Sequence, residues 1–126
     1  MTMISVSEEE FHIMMDAAIE SIPAGFKDKI ENLAFIVEQY PTESDLGRLG
    51  LRDRYSLLGL YSGIPFTQRS TWYAGVTPDR IILFQKNIEA QCSNISELKE
   101  KIREVVIHEV AHYFGMDEDE IRLAGY

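Results

Sequence analysis

Between Asn94 and Gly115 the apolar residues Ile95, Leu98, Ile102, Val105, Val106, Val110 and Phe114 return at intervals of three and four. That spacing places them on one face of a long α-helix. Asn94 with Glu97 fits a capping box at its start, and Gly115 fits the glycine that ends a helix. A helix with one apolar stripe must bury it, so the rest of the chain has to supply a layer for it to pack on.

Candidates for that layer follow from the N-terminus. Ser7 with Glu10 fits a second capping box, and Glu8, Glu9 and Glu10 place acids where a helix dipole favours them. Phe11, Met14, Met15, Ala18, Ile19 and Ile22 then recur at helical spacing, until Pro23 and Gly25 stop the helix. A short helical turn is expected over Phe26 to Glu31. "LAFIVEQYP", Leu33 to Pro41, is apolar and β-branched, and reads as a strand. The stretch 42–70 is interrupted by Gly47, Gly50, Gly59 and Gly63 and reads as a long loop. "TWYAGV" and "RIILFQ" flank "TPD" and read as a hairpin. A last short helix is expected over Asp117 to Leu123. The order α, β, loop, β, β, α is that of an α+β domain.

A chain of 126 residues, 45% hydrophobic, can bury a core without disulfides or a structural metal. A metal site, if present, is therefore expected to be catalytic rather than structural. The formal net charge of −9, with Lys and Arg scattered, argues against nucleic acid and anionic membranes as partners. Cys92 is the only cysteine, and Met1 to Glu10 has no basic stretch followed by an apolar one. The expectation is a soluble cytoplasmic protein.

The long helix carries "VIHEVAHYFGMDEDE", Val106 to Glu120. His108 and His112 stand at i and i+4, one above the other on the same face, so two imidazoles can converge on one Zn²⁺. Glu109 lies one step round the helix. In such a site it does not bind the metal but faces the metal-bound water as general base. Gly115 can turn the chain back. Glu118, ten positions after His108, is then the favoured third ligand, with Asp117, Asp119 and Glu120 as rivals. The plainer alternative is a pair of hydrogen-bonded, half-buried histidines followed by a solvated acidic helix start.

"HEVAHYFGMDEDE" resembles the zincin metallopeptidases, and most of all the minimal zincin-like metallopeptidases of bacteria. The similarity extends through "LLGLYSGIPFTQRS", "RIILFQKNI" and "ELKEKIREVVIHEVAHYFGMDEDEI". The resemblance implies one small zincin-like domain over residues 1–126, with a short mixed sheet packed against the histidine helix. It implies zinc held by His108, His112 and Glu118, with Glu109 as general base, and a peptide or protein substrate. Glu118 stands where metzincin-like proteins carry His or Asp.

Other residues have weaker claims. His12 on the first helix is expected to pack or face solvent, Cys92 to be an inert buried thiol, and Asp16 and Glu20 to be solvated. Tyr73, Tyr113 and Tyr126 are each able to donate to an oxyanion. Trp72 and Tyr73 read as core, and Arg69 and Arg80 as surface arginines able to bind a carboxylate. One strand between Thr71 and Gln85 is expected to offer its edge to an extended substrate, with "LLGLYSGIPF" as a gating or substrate-lining loop. The competing function is a protein-binding module with a vestigial or regulatory metal site.

Overall fold

The computed structural model describes residues 4–63 and 78–125. Helix α1 runs Glu8–Glu20, starting where the Ser7 hydroxyl accepts the Glu10 N–H at 3.0 Å. The Glu10 carboxylate takes the Ser7 hydroxyl rather than the Ser7 N–H, so half of the expected capping box is formed. Helix α2 is Ala24–Lys27, two residues earlier than its apolar Phe26 suggests, because Pro23 suits the position before a first turn. Strand β1 is Leu33–Glu38, as the β-branched run predicts.

The stretch 42–70 departs from its reading as a loop. Helix α3, Glu43–Leu49, is closed at its start by a complete Thr42–Asp45 capping box, and strand β2 is Gly59–Ser62. Both are short, and α3 carries only two large apolar residues, Leu46 and Leu49, so neither generates a measurable hydrophobic period. Strand β3 is Asp79–Phe84, followed directly by α4, Gln85–Glu89. The long helix, α5, spans Ile95–Tyr113, and α6 spans Glu118–Leu123.

The sheet has the order β1-β3-β2. β3 lies parallel to β1, with Leu33 opposite Asp79, and antiparallel to β2, with Gly59 opposite Leu83. Ile81, Ile82, Leu83 and Phe84 are all buried, as in a strand covered on both faces. β3 is paired on both sides and is therefore not the expected edge strand. The first strand of the expected hairpin, "TWYAGV", lies outside the described residues.

The main core forms where α1 and α5 pack on one sheet face. Phe11, Met15 and Ala18 of α1 meet Leu98, Ile102 and Val106 of α5 over Ile81 and Leu83 of β3. Each fully buried side chain of this size contributes about 1.5–3 kcal/mol. Ile95, counted in the apolar stripe, is 38% exposed at the first position of α5. Cys92 is buried with its thiol on the Ile88 carbonyl, and burial pushes its pKa up, as befits an unreactive cysteine. No helix among the described residues is long and apolar enough to cross a membrane.

Candidate metal centre

Helix α5 ends in a Schellman turn. The Gly115 N–H donates to the His112 carbonyl at 2.9 Å and the Met116 N–H to the Ala111 carbonyl at 3.0 Å. Gly115 takes φ 90°, a left-handed conformation that a residue with a Cβ adopts only under strain. The turn brings the chain back along the helix, and two contacts result. The Met116 carbonyl lies 3.0 Å from His112 Nδ1, and the Glu118 Oε1 lies 2.7 Å from His112 Nε2 and 3.1 Å from His108 Nε2.

These contacts specify a tautomer. A carbonyl only accepts, so His112 Nδ1 carries its proton toward Met116 O, and Nε2 is the nitrogen aimed at Glu118. Such a carbonyl behind the ring is the usual support for a metal-binding imidazole. Two ring nitrogens then converge on one carboxylate oxygen, an arrangement satisfied by protons or by a shared cation. All three donor atoms lie within 4.8 Å of one another. A tetrahedral zinc with bonds of about 2.0–2.1 Å needs donors about 3.3–3.4 Å apart. The two separations to Glu118 Oε1, 2.7 and 3.1 Å, need to open by only a few tenths of an ångström to reach that spacing. The hydrogen bonds to His108 and His112 outweigh partial burial and hold the Glu118 carboxyl below its usual range.

The rival acids are engaged elsewhere. Asp117 and Glu120 form the capping box of α6, at 2.8 and 3.2 Å, and Asp119 pairs with Arg122 one turn on. Glu118 is thus the acid of the four that the structure brings to both histidines.

Glu109 faces the same cleft as the trio, a space of 820 Å³ running between α5 and β2. It is 8% exposed. Burial raises its pKa, while His112, His108 and a hydrogen bond from the Tyr61 backbone act in the opposite direction. The nearby cations do not neutralise it, for Lys101 pairs with Glu104 and Arg103 with Glu100.

Sequence reasoning missed what positions Glu109. A Cβ on Gly59 would stand 2.7 Å from Val105 Cγ1 and 3.1 Å from Glu109 Cγ. β2 therefore approaches α5 as closely as it does only with glycine there. A glycine inside an apolar strand is the signal for such an approach. Gly59→Ala is expected to cost about 1–3 kcal/mol through overpacking. The check is a urea midpoint lowered at constant slope; an unchanged midpoint would show that the strand can back away freely.

The remaining candidates disperse. Tyr113 is fully buried and its hydroxyl spans the Glu31 carbonyl at 3.1 Å and N–H at 3.0 Å, so it ties α5 to the start of β1 and does not face the cleft. His12 stays on α1 beside Glu8, and Arg80 lies 3.9 Å from Glu38. Asp16 and Glu20 are exposed. Arg69, Trp72, Tyr73 and Tyr126 lie outside the described residues.

The chain finds no match among curated proteins. A family model described as zincin-like metallopeptidase, however, matches residues 30–126, which takes in the whole sheet, α5, the Schellman turn and α6. With a mixed sheet of three strands among the described residues, beside a helix carrying two histidines and a carboxylate returned to them, the α+β chain belongs to the zincin-like metallopeptidase family.

Proposed function

We propose that the protein is a zinc-dependent peptidase in which His108, His112 and Glu118 hold the metal and Glu109 is the general base. The observation that carries this reading is the convergence of two Nε2 atoms on Glu118 Oε1, with the buried Glu109 lining the same cleft. Zn²⁺ bound there supplies a Lewis acid for the scissile carbonyl and lowers the pKa of the attacking water.

The chain's own residues do the rest. Glu109 accepts the water's proton and returns it to the leaving amine. Burial brings its pKa up toward the working pH, which suits a group that must both take and release a proton. The Met116 carbonyl keeps the His112 ring in register, and the Tyr61 backbone holds the Glu109 carboxylate. β2 lines the cleft, so an extended peptide held there would run alongside it.

The test is a peptide library incubated with protein purified without chelator. Cleavage is expected, lost on treatment with a chelator and restored by Zn²⁺ but not by Mg²⁺, whose octahedral oxygen preference the two imidazoles do not meet. Metal-bound protein that cuts no peptide would favour the binding-module reading instead.

A further inference from the structure

We infer that Tyr61 and Asp79, joined by a side-chain hydrogen bond, are positioning residues for Glu109, an inference that rests on the metallopeptidase reading. The strand register supplies the first link. The Phe84 N–H donates to the Leu58 carbonyl at 3.0 Å, and β2 continues with Leu60 opposite Ile82 and Tyr61 opposite Ile81. Hydrogen-bonded positions alternate along an antiparallel pair, so Leu60 turns its main-chain groups toward β3 and Tyr61 turns its N–H away. That N–H donates to Glu109. The Tyr61 ring meets Tyr113 edge to face, with centroids 6.0 Å apart. Tyr113 stands one turn after Glu109 on α5, so a single residue of β2 touches the helix at both places.

The far end of Tyr61 is fixed as well. Its hydroxyl donates to Asp79 Oδ2 at 2.6 Å. Asp79 opens β3, is buried, and donates its own N–H to the Asn32 carbonyl at 2.9 Å. It lies two residues before Ile81, which makes it the diagonal neighbour of Tyr61 on the same sheet face. Gly63 leaves the room that this carboxylate occupies, since a Cβ there would collide with Asp79 Cγ. A carboxylate is costly to bury unless hydrogen-bonded, and a hydroxyl on a carboxylate is among the stronger bonds of this kind. The contact is therefore built into the sheet.

The consequence falls on the position of the base. A glutamate side chain has several rotatable bonds, and only some of its rotamers aim the carboxylate at one point. Misplacing a reacting group by about 1 Å costs about 100-fold in rate. Asp79 holds Tyr61, and Tyr61 holds the carboxylate of Glu109 through its N–H. Asp79 thus acts on Glu109 through Tyr61, and neither residue needs to exchange a proton in the reaction.

The experiment compares Tyr61→Phe, Asp79→Ala and Asp79→Asn with the wild type. Amide hydrogen exchange, followed by nuclear magnetic resonance on zinc-free protein, reads the link to Glu109. In Tyr61→Phe and Asp79→Ala the N–H at position 61 is expected to exchange roughly tenfold faster or more, the weight of a hydrogen bond to a charged acceptor. The Leu60 N–H, bonded to β3, should keep its protection. Asp79→Asn keeps an oxygen for the Tyr61 hydroxyl and should keep protection at both positions. Kinetics of zinc-loaded protein reads the consequence: kcat about 10- to 100-fold lower in Tyr61→Phe and Asp79→Ala at unchanged KM, and restored in Asp79→Asn. Should Asp79→Ala not fold, Tyr61→Phe and Asp79→Asn decide alone. Protection unchanged at position 61, or lost equally at position 60, would overturn the inference. So would an unchanged kcat with a raised KM, which would make Tyr61 a substrate contact. These outcomes leave the peptidase reading intact. A wild type that cuts no peptide would remove that reading, and the positioning role with it.

Discussion

Glu109→Gln is expected to keep its zinc and lose turnover by about 10²- to 10⁴-fold, the usual contribution of a positioned general base. The substitution keeps the shape that fills the space beside Gly59, where a Cβ would already come within 3.1 Å of Glu109 Cγ. It also keeps an oxygen for the Tyr61 N–H to donate to. What it removes is the ability to take a proton. Burial makes the ionised carboxylate costly, so the neutral amide should leave stability equal or raise it. The signature is thus threefold: unchanged metal content, an unlowered unfolding midpoint, and a fall in kcat on any peptide the wild type cuts. Equal kcat values for the two proteins would exclude Glu109 as the base. Loss of metal together with activity would mean that Glu109 supports the histidines rather than the water.

Much of this site is legible in the sequence, because His108, Glu109 and His112 lie on one long element. The stripe from Leu98 to Val110 fixes which side of α5 is buried, and that leaves His108 and His112 on a neighbouring face at one cleft wall. The turn at Gly115 was legible for the same reason, since a helix of this length ends where a left-handed residue is available. Glu118 could have been separated from its rivals by one further step. Asp117 and Glu120 are themselves spaced as a capping box, which commits both to α6.

The other half of the cleft was not legible. α3 and β2 have seven and four residues, too few for a period to accumulate, and β2 exists because β3 is there to pair with it. The central place of β3 was hidden for a related reason. The continuous apolar run at Ile81 to Phe84 is as compatible with one covered face as with two, and only the neighbours decide. Tyr113 is a local case of the same limit. Its place next to His112 in sequence suggests the site, but the helical step of about 100° turns it into the core, where Glu31 meets its hydroxyl.

The largest loss of metal affinity is expected from His108→Ala combined with His112→Ala. Each ring contributes a nitrogen aimed at the same point, so removing both leaves Glu118 as a single exposed carboxylate, which cannot hold Zn²⁺ against water. Stoichiometry measured by elemental analysis should fall from about one zinc per chain to background, zinc being coordinated once by such a trio. Glu118→Ala should weaken binding by at least about 10- to 100-fold, the range known for partners that merely support a ligand. Asp119→Ala should do little, because that carboxylate faces Arg122 on the exposed side of α6. His12→Ala should also leave affinity unchanged, since His12 stays on α1 beside Glu8. The core that α5 forms with α1 and β3 does not involve either metal-facing ring, so the double variant should remain folded, and its far-ultraviolet circular dichroism should match that of the wild type. Zinc retained at full stoichiometry by the folded double variant would place the metal elsewhere in the chain. An affinity lowered more by Asp119→Ala than by Glu118→Ala would mean that the turn after Gly115 rewinds when the metal enters.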